Sequence, residues 1–316
     1  MKAYTFSMSL REIHLAHTQG FCAGVDSAIE IVNLSIEKYG TPLYVRHEIV
    51  HNTSVIEHFK EQGVIFIEDL ADVPDGQVVV FSAHGTAPGV YQDAKARGLK
   101  VIDATCPLVT KVHRQALKFS ERGIQTILIG HHGHQELLGT SGYVNPDLLF
   151  IIETEDDIDL LKINPDLPVG YLTQTTLSVE DTRGMITKLY EKYPHIQGPP
   201  KANICYATQN RQDAVRQLAA FCDLVIICGS PSSSNSNRLR ETSANCGVES
   251  YIIDTVSELN MDWFNGKEKV GISSGASVPR YVVDAVVNRI LVDYPSVAVF
   301  QEPTIEVGIR FPIPNI

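Results

Sequence analysis

A cysteine stands just before an amphipathic helical segment at three places in the chain, and this repetition constrains the fold more than any other feature. The three residues are Cys22, Cys106 and Cys205, with separations of 84 and 99 residues. After each helical segment come two further units of apolar strand, polar turn and helix. Similarity at so long a period predicts repeated domains rather than a solenoid.

The alternation of strands and helices predicts an α/β fold with mainly parallel sheets. We therefore expect three α/β units related by pseudo-threefold symmetry, a trefoil around a central cavity. The predicted segments are residues 1–22 (an N-terminal extension and a strand that joins the third unit), 23–106 (first unit), 107–200 (second unit), 201–292 (third unit) and 293–316 (C-terminal tail). Three prolines between residues 300 and 316 argue against a regular helix in the tail.

Composition and charge exclude several classes of protein. The 316 residues carry a formal net charge of −11 without a prominent basic run, so nucleic-acid binding has little support. No apolar run reaches the roughly 18 residues of a membrane span, and residues 1–10 resemble a poorly ordered extension rather than a signal peptide. We therefore expect a cytoplasmic protein whose six cysteines are thiols or metal ligands rather than disulfides.

The repeated cysteines predict a metal centre. In parallel α/β units the carboxyl ends of strands and the N-termini of helices share one edge, so three such units facing one another would bring the three cysteines together. Three thiolates with an open fourth position suit either catalytic zinc or a [4Fe–4S] cluster with one iron left for substrate. The residues alone leave both metals open. Cys222, Cys228 and Cys246 have no repeat partners and are interpreted as ordinary buried thiols.

Polar residues in the turns after the strands are expected to surround the same centre. With the positive ends of the helices, the histidines among them would favour a small anion. Ser/Asn-rich segments such as GSPSSSNSNRL are usually flexible linkers. This one follows a strand and precedes a helix, so its hydroxyl and N–H groups could instead bind phosphate, although it lacks the lysine of a nucleotide P-loop. The acidic residue is a candidate general acid if it is buried. These candidate residues are His51, His84, His134, Glu136, Thr175 and Ser277.

Nine motifs stand in order along the chain: GFCAGVDSAI, YVRHEIVHN, FSAHG, DATCPLVTKVH, ILIGHHGHQE, TQTTLSV, ICYATQNRQ, GSPSSSNSNRL and GASVP. Together they resemble the motif series of the LytB/IspH family of 4-hydroxy-3-methylbut-2-enyl diphosphate reductases, over about residues 13–290. The resemblance implies an iron–sulfur oxidoreductase of the non-mevalonate (MEP/DOXP) isoprenoid pathway. Such an enzyme converts (E)-4-hydroxy-3-methylbut-2-enyl diphosphate to isopentenyl diphosphate and dimethylallyl diphosphate by two-electron reductive dehydroxylation. The implied electron donor is a ferredoxin or a flavodoxin.

The same resemblance implies roles for individual residues. One oxygen-sensitive [4Fe–4S] cluster per chain would be held by Cys22, Cys106 and Cys205. The substrate hydroxyl would bind the free iron, Thr175 would contact the substrate near that hydroxyl, and Glu136 with Thr175 would deliver protons. Gln135 and His132 depart from the usual family residues but leave His134, a further catalytic candidate, in place. The diphosphate would bind His51, His84, His134, Ser233, Ser234, Asn235 and Ser277.

Two other classes of function are also considered. A cluster-dependent lyase similar to quinolinate synthase would also have three α/β repeats and three cysteines, but it would act on a dicarboxylate without net electron input. The Ser/Asn-rich motif and Glu136 argue against this lyase. An iron–sulfur sensor or electron carrier would need no enclosed ring of polar residues and would not convert an allylic diphosphate.

Overall fold

The structure is a computed structural model that describes residues 10–199, 203–314 and 316. The expected N-terminal extension, residues 1–10, therefore lies outside the described residues except for Leu10. The chain divides into two compact units. The described residues of the first unit fall within Met1–Cys22, His51–Val55 and Tyr206–Ile309, and those of the second within Ala23–Val50, Ile56–Cys205 and Arg310–Ile316.

Twelve β-strands and ten α-helices occur in the described residues. The strands are β1 (Glu12–Leu15), β2 (Leu43–Arg46), β3 (Val64–Ile67), β4 (Val78–Phe81), β5 (Lys100–Asp103), β6 (Gln125–Ile129), β7 (Leu149–Ile152), β8 (Val169–Thr173), β9 (Leu224–Cys228), β10 (Glu249–Ile253), β11 (Lys269–Ser274) and β12 (Ala298–Gln301). The helices are α1 (Ala23–Tyr39), α2 (Thr53–Glu61), α3 (Pro88–Ala96), α4 (Pro107–Glu121), α5 (Gln135–Ser141), α6 (Asp157–Leu160), α7 (Val179–Lys192), α8 (Tyr206–Ala219), α9 (Ser234–Asn245) and α10 (Arg280–Asp293).

The strands form three sheets in which every pair of named strands is parallel. The sheet of the first unit has the order β10-β9-β11-β1-β12. The second unit contains one sheet of order β3-β2-β4-β5 and another of order β7-β6-β8. The predicted fold class, α/β with three mainly parallel sheets, is confirmed. The exact boundaries of the three predicted units stay a prediction.

The three sheets share one strand order. Each contains three strands that are successive in sequence (β2 to β4, β6 to β8 or β9 to β11), and the first of these lies between the second and the third. In each sheet a further segment of the chain pairs with that third strand, and one of the three cysteines follows this segment along the sequence. Strand β5 pairs with β4 ahead of Cys106, and β1 pairs with β11 ahead of Cys22. In the remaining sheet a parallel bridge joins Gly170 of β8 to Gln197, ahead of Cys205. The three cysteines therefore occupy equivalent positions in the topology.

The apolar runs of the sequence become the inner strands because helices cover parallel sheets on both faces. All five residues of β6 and of β9 are buried. Helix α4 shows the complementary helical pattern, with Val109, Val112, Ala116 and Phe119 buried along one face. Alternating strands and amphipathic helices thus place polar residues in the turns, where the candidate site residues lie.

The three cysteines without repeat partners differ in their burial. Cys222 and Cys228 are buried as predicted, but the prediction for Cys246 is wrong because this residue is exposed. It caps the C-terminus of α9 just before Gly247, whose φ of 80° begins a surface turn.

The region near the C-terminus contributes β12, an exposed edge strand that pairs with β1. No helix in the described ranges is long and apolar enough to cross a membrane.

Candidate functional site

The polar residues singled out by the sequence follow the carboxyl ends of parallel strands. In the second unit His84 comes after β4, His134 after β6 and Thr175 after β8. In the first unit Ser233 comes after β9 and Ser277 after β11. Helices begin shortly after most of these turns, and the first backbone N–H groups of a helix have no partner within it. Each unit therefore carries polar side chains together with N–H donors at these edges.

A buried carboxyl group is the most unusual feature of the second unit. Glu136, in the first turn of α5, is 3% exposed. Its carboxylate accepts a hydrogen bond from the backbone N–H of Thr175 at 2.7 Å and another from the Thr175 hydroxyl at 2.8 Å. Burial raises the pKa of Glu136 to about 7, against the opposing effect of these two hydrogen bonds. A carboxyl group with this pKa can hold and release a proton near neutral pH, as a general acid must.

Two histidines lie near the N-terminus of α5. His134 is the N-cap of α5, and its Nδ1 accepts a hydrogen bond from the backbone N–H of Glu136 at 3.1 Å. The centroids of the His84 and His134 rings are 6.1 Å apart in an edge-to-face arrangement. Helix α5 approaches the His84 turn closely, since a Cβ at Gly139 would lie 2.9 Å from the carbonyl oxygen of Gly85. The absence of a side chain at position 139 therefore helps to set the distance between the two histidines.

Two of the three repeated cysteines belong to the second unit, and both are partly exposed. Cys106 is the N-cap of α4, and its N–H donates to the carbonyl of Ala83 at 3.1 Å. Its sulfur lies against Gly24, where a Cβ would approach Sγ to 2.6 Å. The N–H of Cys205 donates to the carbonyl of Thr175 at 3.0 Å. Thr175 thus contacts Cys205 through its backbone carbonyl, and Glu136 through its backbone N–H and its hydroxyl.

The third cysteine belongs to the first unit and lies beside the turn after β11. The N–H of Cys22, which is also partly exposed, donates to the carbonyl of Ala276 at 3.1 Å. The hydroxyl of the next residue, Ser277, donates to the carbonyl of His51 at 2.9 Å. The structure therefore places two predicted ligand-binding residues and one predicted metal ligand around this single turn.

The Ser/Asn-rich segment forms the N-terminus of α9 rather than a flexible linker. Ser233 is the N-cap, and its Oγ accepts a hydrogen bond from the N–H of Ser236 at 3.3 Å. Ser234 begins the helix. Asn235 is 5% exposed, and neither its Nδ2 nor its Oδ1 has a hydrogen-bond partner in the described part of the chain. Buried amide groups are nearly always paired, so Asn235 indicates a position where a bound polar ligand would complete the hydrogen bonding.

The structure does not assemble every predicted feature. Among residues 10–199, 203–314 and 316, no group of three or more His, Cys, Asp or Glu side chains is arranged to hold a metal ion. The three-cysteine ligand set therefore stays a prediction. His113, which the sequence placed among the structural histidines, is buried, and its pKa is lowered by that burial to about 4.

Sequence reasoning did not single out Gln174, which supports the histidine-rich turn. Its Oε1 accepts a hydrogen bond from the N–H of His131 at 3.1 Å, and its Nε2 donates to the hydroxyl of Thr176 at 2.8 Å. This side chain is buried. The polar run TQTT directly after an apolar strand was the available signal, because a long polar side chain beside β8 must find partners nearby.

Fold and site together define an α/β protein with a buried carboxyl group among the polar residues that follow its strands. A family model described as "LytB protein" matches residues 13–291. The chain therefore belongs to the LytB family, as its motifs indicated.

Several relatives of this chain are named 4-hydroxy-3-methylbut-2-enyl diphosphate reductase. The protein from Saccharophagus degradans is 52% identical over 279 residues, covering 87% of this chain and 90% of the relative. The protein from Acinetobacter baylyi is 48% identical over 307 residues, covering 96% and 97%. Because these relatives are reductases, the predicted enzyme class, an oxidoreductase of this family, is confirmed.

Solved structures agree with the sequence comparison. The E-1-hydroxy-2-methyl-but-2-enyl-4-diphosphate reductase from Plasmodium falciparum matches with a TM-score of 0.90 and 37% identity, covering 97% of this chain and 95% of that chain. A structure described as (E)-4-hydroxy-3-methyl-but-2-enyl diphosphate reductase, the terminal enzyme of the non-mevalonate pathway, matches with a TM-score of 0.63 and 32% identity, covering 89% and 99%.

Proposed function

We propose that this chain reduces (E)-4-hydroxy-3-methylbut-2-enyl diphosphate to isopentenyl diphosphate and dimethylallyl diphosphate in the non-mevalonate isoprenoid pathway. The observation that carries the proposal is the buried carboxyl of Glu136, whose pKa of about 7 suits proton delivery to a leaving hydroxyl group. Two relatives, 52% and 48% identical to this chain, are named as this reductase. Their names support the same substrate for this chain.

The proposed reaction breaks one carbon–oxygen bond, consumes two electrons and two protons, and releases water. Glu136 would give a proton to the departing hydroxyl, and Thr175 would keep the carboxyl group in place through its two hydrogen bonds. The electrons would come from a reduced ferredoxin or flavodoxin, since the sequence contains no GxGxxG fingerprint for a nicotinamide or flavin of its own.

The residues of this chain fit a [4Fe–4S] cluster held by Cys22, Cys106 and Cys205. All three thiols are partly exposed, and all three follow the strand or bridge segment at the same place in the repeated topology. A Cβ at position 24 would lie 2.6 Å from the Cys106 sulfur, so glycine at this position avoids a clash with that sulfur. Thiolates are the usual ligands of such clusters. When bound, the cluster would supply single electrons and a Lewis-acidic iron for the substrate hydroxyl.

The diphosphate would be bound by polar side chains in the turns that follow the strands. The unpartnered amide of Asn235 supports this role, because an anionic oxygen would accept from Nδ2. Helix α9 has twelve residues, and the N–H groups of its first turn would add further donors. The diphosphate does not react, so its binding energy would serve to position the carbon–oxygen bond. The proposed set is His51, His84, His134, Ser233, Ser234, Asn235 and Ser277.

An anaerobic assay with a reduced dye and the allylic diphosphate tests the proposal, with iron counted in the same sample. We expect about four iron atoms per chain and turnover that requires the reductant. Glu136→Gln should keep the iron and lower kcat by about 10²–10⁴-fold, the range typical of losing a general acid. Glu191→Gln, a change of an exposed glutamate on α7, should alter neither quantity.

Each contrary result has a definite meaning. Wild-type turnover in Glu136→Gln would remove Glu136 from the mechanism. Conversion without any reductant would contradict a reductase and favour a lyase. A full iron content with no conversion of the allylic diphosphate would contradict the proposed substrate and favour an iron–sulfur carrier or sensor.

A further inference from the structure

A fully buried arginine joins two distant segments of the first unit. Arg211 lies on α8, and its side chain is 0% exposed. One guanidinium nitrogen, NH2, donates to the carbonyl of Gly20 at 2.8 Å. The other, NH1, donates to the carboxylate of Glu306 at 3.1 and 3.3 Å and to the carbonyl of Ala207 at 3.1 Å. We call the contacts of Arg211 with Gly20 and Glu306 the tail latch.

The first end of the tail latch is the loop that leads to Cys22. Gly20 has a φ of 78°, a conformation that favours glycine, and its N–H donates to the hydroxyl of Ser274 at 3.2 Å. With its carbonyl bound to Arg211, both polar backbone groups of Gly20 are held by side chains. Two residues later the N–H of Cys22 donates to the carbonyl of Ala276. Arg211 therefore supplies one of the hydrogen bonds that hold the backbone leading to Cys22.

The second end of the tail latch is the segment that follows β12. From residue 301 to residue 310 every position is exposed except Glu306, whose side chain is 9% exposed. Its flanking residues Ile305 and Val307 are 60% and 78% exposed. Asn210 donates to the same carboxylate at 3.1 Å. An otherwise exposed segment is thus attached to α8 by one buried charged residue, and this residue lies beyond the region matched by the family model.

The guanidinium group of Arg211 binds both ends of the tail latch. Arginine is always charged, and its rigid planar guanidinium group can donate to two partners at the same time. If Glu306 loses its charge or moves away, the guanidinium becomes a buried cation without a counter-ion, which is strongly unfavourable. The side chain then gains by moving toward water, and such a movement would break its hydrogen bond to the Gly20 carbonyl. Release of the tail should therefore loosen the loop that carries Cys22.

We propose that Arg211 is a positioning residue that couples the order of the tail segment, residues 302–309, to the backbone that presents Cys22. The proposal does not depend on the proposed cluster or substrate, because all the contacts involve residues of this chain and the test observes Cys22 as a thiol. A failure of the reductase assay would leave it unaffected.

The test compares full-length, metal-free protein with Glu306→Gln and with a matched control, Asp293→Asn. The control removes an exposed acid that pairs with Arg289 on α10. The readouts are deuterium uptake in residues 302–309 and the alkylation rate of Cys22 by iodoacetamide, relative to exposed Cys246, by mass spectrometry. A hydrogen bond to a charged group corresponds to roughly a tenfold to hundredfold change in an equilibrium constant. We expect Glu306→Gln to speed alkylation of Cys22 about tenfold or more, and the control to have no effect.

A conservative change provides the second test. Arg211→Lys keeps the charge but lacks the guanidinium group that binds Gly20 and Glu306 together, so it should also speed the alkylation of Cys22. If both residues act through one latch, the double variant should be no faster than the faster single variant, whereas independent sites would multiply their effects. If Arg211→Lys does not fold, Glu306→Gln decides alone. Faster deuterium uptake in the tail with unchanged alkylation of Cys22 would overturn the proposal, as would no change in either readout.

Discussion

Replacing Glu136 by glutamine should change how the stability of the protein depends on pH. Glutamine keeps the size of the side chain but cannot ionise. In the wild-type chain, burial raises the pKa of Glu136 from its ordinary value of 4.5 to about 7. Between these values the folded state keeps a proton that the unfolded state has already lost, so folding stability must fall as the pH rises.

The size of the effect follows from the two pKa values. Each pKa unit corresponds to about 1.36 kcal/mol, so the interval from 4.5 to about 7 corresponds to roughly 3 kcal/mol. Because the folded-state pKa is raised, this contribution is fully present below pH 4.5 and is lost as the pH rises toward 7. Above pH 7 the carboxylate is ionised in both states, and the folded state bears the full unfavourable burial of the charge. Glu136→Gln should show no such loss.

The measurement uses the metal-free, full-length chain, so that cluster chemistry does not enter. Urea unfolding of the wild type and of Glu136→Gln across pH gives the difference in unfolding free energy. The infrared absorption of the protonated carboxyl group, taken as wild type minus variant, gives the pKa of Glu136 directly. Glu191→Gln, a change of an exposed residue, serves as the control and should leave both measurements as in the wild type.

Parallel stability curves between pH 4.5 and 7, or a carboxyl group that titrates near its ordinary pKa of 4.5, would contradict a raised pKa of Glu136. A companion variant tests the balance of causes. Thr175→Val removes the hydroxyl that donates to the carboxylate of Glu136 at 2.8 Å. Because that hydrogen bond favours the ionised form, the pKa of Glu136 should rise further above about 7. A fall in the pKa would contradict the assigned cause.

Two further predictions concern the proposed binding residues. Asn235→Ala should raise KM for the allylic diphosphate, yet leave unfolding free energy within about 1 kcal/mol of the wild type, because the buried amide has no partner in the described structure to lose. Strong destabilisation would show that the amide is bonded within the protein. Gly139→Ala should destabilise by about 1–3 kcal/mol and weaken diphosphate binding, since its Cβ would lie 2.9 Å from the Gly85 carbonyl. Gly89→Ala, where no atom lies within 4 Å of the new Cβ, is the control and should be tolerated in thermal unfolding.

Much of the fold was predictable because strands and helices have different periods along the sequence. The apolar run LVIIC became the fully buried β9, and the stripe from Val109 to Phe119 became the buried face of α4. The positions of His84, His134 and Thr175 in turns after strands followed from the same alternation. Their grouping at strand ends then follows from the rule that functional residues of α/β proteins lie at the carboxyl edge of the sheet.

Other features of the structure were not indicated by the neighbouring residues in the sequence. The turn TQTT suggested polar contacts, but nothing adjacent indicated that Gln174 would hold the N–H of His131, 43 residues away. Arg211 belongs to the motif ICYATQNRQ, but its partners Gly20 and Glu306 lie 191 and 95 residues away along the chain. Cys246 was expected to be buried from its residue type, whereas its place at the end of a surface helix exposes it.

The sequence by itself determined the alternation of elements, the threefold recurrence of a cysteine before a helix, and the family to which the chain belongs. These features depend on residue types and spacings that the chain carries locally. Only the tertiary structure decided that Glu136 is buried against Thr175, 39 residues along the chain, and that Arg211 joins the Cys22 loop to the tail. The physical reason is that the pKa of a carboxyl group and the strength of an ion pair depend on exclusion of water, and water is excluded only when distant elements pack together.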